Sequence, residues 1–137
     1  MKLSAIRINS AMREQGQWID NIPDLGGVKL KVRGVDNTDA RRLRAKLVAE
    51  MPPTDKPRNV LTDEAAERLT VAILSESILM GWQGLENEDG TPIVFSIPQA
   101  AEILANPDFA LFRNGVNFAA NIIGTEAATA AADTAKN

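Results

Sequence analysis

An apolar-rich run at positions 69–80, LTVAILSESILM, limits what this chain can fold into. When its residues are placed on a helix, they leave almost no polar face, so other elements or another subunit must cover it. Thr62 is a favourable N-cap for this helix, and acidic residues follow it where the helix N terminus attracts negative charge. We therefore predict a central helix from about Asp63 to Trp82.

The residues after this run contain closely spaced turn, strand and cap signals. The acidic segment 86–90, which ends in Asp-Gly, predicts a chain reversal, and the apolar segment Ile93–Phe95 predicts a short strand. Ser96 begins a capping-box pattern, and Asn106-Pro107 repeats a helix-start signal. Two helices are expected there, the second over 110–123. A small apolar cluster is expected to hold the region together, formed by Trp82, Leu85, Ile93, Phe95 and Phe109.

The N-terminal part predicts a β-hairpin followed by a helix. Residues 17–22 precede a Pro-Asp-Leu-Gly-Gly turn signal, and residues 28–33 alternate apolar and basic side chains. A helix from about Asn37 to Glu50 follows, and the proline-rich segment 51–59 ends it. The basic side chains of the second strand, Lys29, Lys31 and Arg33, form a positive row that we interpret as a solvated face.

Together these signals predict a mainly helical α+β fold, with an N-terminal β-hairpin, about four helices and a short strand near 93–95. The chain of 137 residues has the length of one domain. Residues 1–60, with the hairpin, a helix and the connector, are basic: twelve Lys and Arg against seven acids. Residues 61–124 form an acidic helical segment of the same domain, and the alanine-rich tail at 125–137 is predicted to be disordered. Such charge polarity is consistent with head-to-tail association, with a basic face for an acidic partner, or with ordinary scatter of solvated charges.

The composition removes most catalytic chemistry. The chain has no His, Cys or Tyr, and it contains no GxSxG, Walker A or GxGxxG pattern. We therefore expect no enzyme, no cofactor and no metal site. The acidic turn 86–90 lacks the first and last ligands of an EF-hand loop, so it predicts an ordinary Asp-Gly turn. Trp18 and Trp82 are both interpreted as core residues.

The chain shows no targeting or membrane signal. Residues 1–16 carry four charges and no uninterrupted apolar core, so we do not expect a signal peptide. No segment reaches the roughly 20 apolar residues that a membrane span needs. A soluble, cytoplasmic protein is expected.

The C-terminal half resembles the tail assembly chaperones of long-tailed bacteriophages, a family found in phages and prophages. The resemblance rests on a Trp-x-Gly-Leu step after an apolar helix, an acidic Asp-Gly turn, a Pro-x-x-Phe-Ser step and a closing helical pair. These are residues 81–85, 89–93, 95–96, 100–104 and 107–109. The hairpin between Gly16 and Val35 is also similar to the opening of some of these proteins.

This resemblance implies a non-enzymatic protein that binds tape measure protein through apolar helical surface during tail morphogenesis, and that associates with itself. The apolar residues in and after the central helix are the candidates for partner binding: Leu69, Ile73, Ile78, Trp82, Leu85, Phe95, Leu104, Phe109 and Phe112. Two alternatives remain open. One is a structural virion, tail-completion or connector subunit; the other, which the absence of interleaved aromatic residues disfavours, is a small nucleic-acid-binding regulator.

Overall fold

The computed structural model describes residues 1–125 together with 127 and 128. Within them the chain forms five α-helices and one small antiparallel sheet, which confirms a mainly α fold with an early hairpin. The helices are α1 (Ser10–Gln15), α2 (Thr38–Glu50), α3 (Asp63–Ile73), α4 (Ile97–Ala105) and α5 (Ala110–Ile122), and the strands are β1 (Gln17–Ile19), β2 (Lys29–Val32) and β3 (Leu79–Gln83). The predicted disordered tail lies, apart from Thr125, Ala127 and Ala128, outside the described residues.

The sheet has the order β1-β2-β3, with both pairs antiparallel. Trp18 lies opposite Lys31 in the hairpin, and Leu30 lies opposite Trp82 in the second pair. The register of the second pair shifts between Lys31 and Val32. The sequence therefore predicted the hairpin correctly, whereas the third strand comes from the end of the apolar run.

The predicted helix through Trp82 is wrong, because α3 ends at Ile73 and changes its hydrogen-bonding pattern. Residues Leu74–Ile78 form one π-helical turn before β3 begins. Two serine side chains there bond back to carbonyls one turn earlier: Ser75 Oγ donates to Val71 O at 2.8 Å, and Ser77 Oγ donates to Ile73 O at 2.7 Å. Serine competes in this way with the regular helical ladder. After this turn the chain no longer continues as a helix, and its apolar residues are buried in strand β3.

The predicted strand at Ile93–Phe95 is also wrong. Residues 93–95 belong to none of the three strands, and the pairing beside them is limited to an isolated antiparallel bridge between Glu86 and Pro92. Ile93 N–H donates to Leu85 O at 2.9 Å, and Trp82 Nε1 donates to Ile93 O at 2.7 Å. These bonds hold the segment in place without a strand ladder.

The four predicted helices correspond to α2 to α5. Asn37, Thr62 and Ser96 cap α2, α3 and α4, each accepting a hydrogen bond from a first-turn N–H. The short helix α1, which Asn9 caps, was not predicted. Arg13 of α1 joins distant parts of the chain: its guanidinium donates to Ile123 O at 2.6 Å and to Asp36 Oδ1 at 2.8 Å.

One apolar core combines the inner face of the sheet with α3, α4 and α5. Trp82 lies in this core, as predicted, and meets the rings of Phe95 and Phe112 edge to face at centroid distances of 4.9 and 5.9 Å. Phe112 thus takes the place predicted for Phe109, which is 48% exposed. Trp18 is only half-buried, because it lies on the other face of the sheet.

Candidate helix-binding surface

The structure distributes the nine predicted partner-binding residues between the core and the surface. Five are buried within the chain, three are half-buried, and Phe109 is exposed. The buried ones are Leu69, Ile78, Trp82, Leu104 and Phe112, and the half-buried ones are Ile73, Leu85 and Phe95. Buried side chains can contact a partner only if the fold opens. The surface that a partner meets first is formed by other residues.

Two shallow grooves on either side of α3 provide such a surface. The groove between α3 and α4 has a volume of about 330 Å³ and a mostly apolar lining. Small side chains form much of it, so a helix backbone can approach closely. Its lining residues include Val71, Ala72, Ser75, Ile97, Ala101 and Ala105.

The second groove, about 300 Å³, lies between α3, the end of α2 and the proline-rich connector. Its apolar lining comes from Leu47, Met51, Pro52, Leu69 and Ala72. Arg68 and Ala72 line both grooves, so the two form one continuous surface across α3. Leu69 is the only member of the predicted set among the residues that line these grooves.

Ion pairs border the two grooves, and one of them includes Arg68, which lies between the grooves. Arg68 Nη2 lies 2.9 Å from Asp55 Oδ2, and Arg113 Nη2 donates to Glu67 Oε2 at 3.0 Å. The hydrogen bonds from Arg113 hold the pKa of Glu67 below its ordinary value. Charged side chains therefore border the mostly apolar linings of both grooves. Apolar grooves of this kind are candidates for binding the apolar face of an amphipathic helix.

The sequence contained a signal for these groove residues. Arg68, Val71, Ala72 and Ser75 follow the spacing i, i+3, i+4, i+7, which places them on one face of α3. This face was not predicted as a surface, because the apolar run suggested a helix that is buried on all sides. Ile97 and Ala101 lie on the facing side of α4 with the same four-residue spacing.

A family model described as YdaY prophage protein matches residues 35–137, which is more than half of the chain. The chain belongs to the YdaY prophage protein family. The matched range contains both grooves of this YdaY-family chain, and the family description supports a prophage protein without naming a tail assembly role. Comparison with curated proteins and with solved structures gives no match.

The positive row on β2 of this YdaY-family chain is not a continuous solvated face. Arg33 is 17% exposed in its side chain, and its Nη1 lies 2.9 Å from Asp39 Oδ2. Its Nε also donates to Glu14 O at 2.6 Å. The interpretation of Arg33 as a free surface charge is therefore wrong. Through these contacts, the guanidinium group of Arg33 links the end of β2 to α1 and α2.

Two further observations on the YdaY-family chain concern metal binding and membranes. Among the described residues, no group of three acidic side chains is arranged to hold a metal ion. No helix in that part of the chain is long and apolar enough to cross a membrane.

Proposed function

We propose that this YdaY-family protein is a non-enzymatic tail assembly chaperone that binds the tape measure protein of its prophage in the host cytoplasm. The observation that carries the proposal is the pair of mostly apolar grooves that adjoin along α3. The family description supports the prophage context. The resemblance to tail assembly chaperones supplies the client.

The shape of the surface suits a long helical client. An amphipathic client helix presents apolar residues every three or four positions, and these can enter the two grooves in turn while the α3 face between them supports the helix backbone. The charged side chains that border the grooves, Arg68 and the Arg113–Glu67 pair, can contact the polar side of such a helix. Both grooves are shallow, so each contact is weak and the client can be released when the tail tube forms.

The buried candidates support the surface in this proposal. Leu69 lines one groove from below, and Leu104 and Phe112 pack in the core beneath α3 and α4. Phe109 is exposed beyond the end of α4 and can extend the contact. The groove lining of α3 and α4, rather than the whole predicted set, is then the primary binding surface.

Co-expression with the tape measure protein tests the proposal. The wild-type chain should keep the client soluble and should co-elute with it in gel filtration. The double variant Ile97→Glu/Ala101→Glu places two carboxylates in the α3–α4 groove and should abolish both effects. Val94→Glu is the matched control, because Val94 is 81% exposed and does not line either groove.

An insoluble client in the presence of the wild-type chain, or equal binding by the groove variant, would contradict the proposal. Purified phage particles separate a chaperone from a structural subunit. We expect the protein to be absent from finished tails, whereas a connector or tail-completion subunit would be present in fixed stoichiometry.

A further inference from the structure

One groove among the described residues, of about 610 Å³, is basic. It lies between α2 and the proline-rich connector, and Arg41, Arg44 and Lys56 line it without any acidic residue. Its floor is apolar, with Ala45, Val48 and Leu61. The ion pairs found among the described residues include neither Arg41 nor Arg44. Lys56 Nζ donates to Val48 O at 2.7 Å and so fixes the connector against α2.

The acidic turn after β3 has the opposite charge and a fixed shape. Glu86, Glu88 and Asp89 are all exposed, and they surround a tight turn. Asn87 N–H donates to Thr91 O at 2.8 Å, and Thr91 N–H donates to Asp89 Oδ1 at 3.0 Å. The backbone of the turn and the Asp89 carboxylate are therefore held in place before any partner binds, which lowers the entropy lost on binding. We call this turn, residues 86–91, the acidic tip.

The two features leave the sheet from opposite ends of β2. Lys29, at the start of β2, pairs with Gln83, from which the chain continues into the acidic tip. Val32, at the end of β2, pairs with Leu79, and the chain continues from there into α2. A contact between the tip of one copy and the groove of another would therefore join two different surfaces. Such a contact is heterologous and can repeat from copy to copy.

We propose that the acidic tip of one copy binds in the basic groove of the next, and that the chain associates head to tail through this contact. The carboxylates of the tip meet Arg41, Arg44 and Lys56, while the aliphatic floor of the groove covers the turn. The apolar floor, and the absence of aromatic residues from the groove lining, favour a protein segment over a nucleic acid as the occupant. This contact is separate from the grooves across α3 and does not depend on the proposed client.

Charge-reversal variants of the purified full chain test this contact. A groove variant, Arg41→Glu/Arg44→Glu, and a tip variant, Glu86→Lys/Glu88→Lys, each leave two like-charged surfaces facing each other. Asp89 stays unchanged, because its side chain holds the turn. Arg42→Glu/Lys46→Glu is the matched control, since these residues lie on the same helix but do not line the groove. Sedimentation velocity measures the association, and circular dichroism verifies that each variant is folded.

The wild-type chain should form concentration-dependent oligomers at about 0.05 M salt, and these should dissociate at about 0.5 M salt as screening increases. Each single-surface variant should weaken association by about tenfold or more, because attraction becomes repulsion. The control variant should change it by less than about threefold. An equimolar mixture of the groove and tip variants should associate again, because the basic tip of one then fits the acidic groove of the other.

Three results would overturn the proposal. One is a wild-type chain that stays monomeric at low salt and about 0.5 mM, well above the dissociation constant expected even for a small electrostatic interface. Another is a mixture of the two variants that fails to associate although both are folded. The third is binding of a single-stranded oligonucleotide that is lost in the groove variant, in a chain that does not associate with itself.

Discussion

Among single residues, Gly84 fixes how the chain leaves the sheet. Its φ is +90°, and a Cβ at this position would lie 2.2 Å from the carbonyl oxygen of Gly27. That oxygen belongs to backbone in the loop between β1 and β2, so it cannot move aside as a side chain can. Only glycine fits here, and its presence allows the acidic tip to start close to the hairpin loop.

We expect Gly84→Ala to lower the free energy of unfolding by about 3 kcal/mol or more, because it combines a strained φ with a backbone clash. Gly26 is the matched control: it lies in the hairpin loop, and an added Cβ would meet nothing within 4 Å. Gly26→Ala should change stability by less than about 1 kcal/mol. Urea denaturation of both variants measures the difference. Equal stability of the two variants would show that the loops are not in contact.

Glu14 gives a pH-dependent contribution to stability. Its carboxylate accepts hydrogen bonds from the Thr38 hydroxyl at 2.7 Å and from Thr38 N–H at 2.9 Å. These bonds, with smaller help from Arg33, lower the pKa of Glu14 below its ordinary value of 4.5. The unfolded chain therefore binds the proton first as the pH falls. The contribution is complete above the unfolded-state pKa and is lost as the pH falls through the folded-state pKa.

Thermal unfolding of the wild type and of Glu14→Gln should show this. The stability difference between them should be constant above about pH 5 and should shrink as the pH falls further. In a Thr38→Val background, which removes the hydroxyl donor, the pH-dependent part of the difference should be smaller. A difference that grows on acidification would contradict the assigned bonds.

At the level of secondary-structure elements, Asn37 connects α2 to the π-helical turn. Asn37 is 1% exposed, and its Oδ1 accepts from Ala40 N–H as the N-cap of α2. Its Nδ2 donates to Gly34 O at 2.8 Å and to Ser77 O at 2.9 Å. The side-chain amide of Asn37 therefore caps α2 and also donates to a carbonyl of the π-helical turn, where the regular hydrogen bonds of α3 have changed.

Aspartate is normally as good an N-cap as asparagine, so Asn37→Asp separates the two roles. The variant keeps the cap acceptor but loses both donated bonds and places a carboxylate beside two carbonyl oxygens. We expect it to lose about 2–4 kcal/mol of stability. Ser96→Asp, at the exposed N-cap of α4, should stay within about 0.5 kcal/mol of the wild type. Chemical denaturation at neutral pH compares them, and a stable Asn37→Asp variant would exclude the bond to Ser77 O.

Elements with local signals were predictable from the sequence. Caps and turn residues identified α2, α4 and the hairpin, because Asn37 and Ser96 act through bonds to their near neighbours. Asn106 caps the short 3₁₀ turn Pro107–Phe109 that leads into α5, whose own N-cap residue, Phe109, makes no side-chain bond. The change from α3 to β3 was not predictable in this way. This change depends on the pairing of residues 79–83 with β2 and on the hydrogen bond from Asn37 to Ser77 O, forty residues away. The hydrophobic periodicity of the sequence contains no information about either interaction.

The candidate surfaces were predictable to a smaller degree. Apolar character alone selected Leu69, Trp82 and Phe112, which the fold buries. The spacing of Val71 places it on a defined face of α3, but spacing alone does not show that Ala101 of α4 lies beside that face. Small residues carry a weak hydropathy signal, so the positions of large apolar side chains do not predict a surface that small residues form.

The molecule as a whole joins its basic and acidic parts through one core. Ile19, Leu30 and Val32 come from the basic residues 1–60, and they pack with Leu74, Trp82 and Phe112 from the acidic part. The sheet repeats this arrangement, because β2 lies between β1 and β3. Charge polarity along the sequence therefore does not correspond to two separate cores, and the two parts should unfold together.

Two single-tryptophan variants test this cooperativity. Trp82→Phe leaves Trp18 to report on the hairpin, and Trp18→Phe leaves Trp82 to report on the core. In each variant the fluorescence and far-ultraviolet circular dichroism transitions in urea should coincide. Adding Leu30→Ala should lower stability by about 3 kcal/mol in both variants, because Leu30 is fully buried on the central strand, opposite Ile19 of β1 and Trp82 of β3. If Trp18 fluorescence changed at a lower urea concentration than the dichroism, the hairpin would unfold separately, and α3 to α5 would hold a core without it.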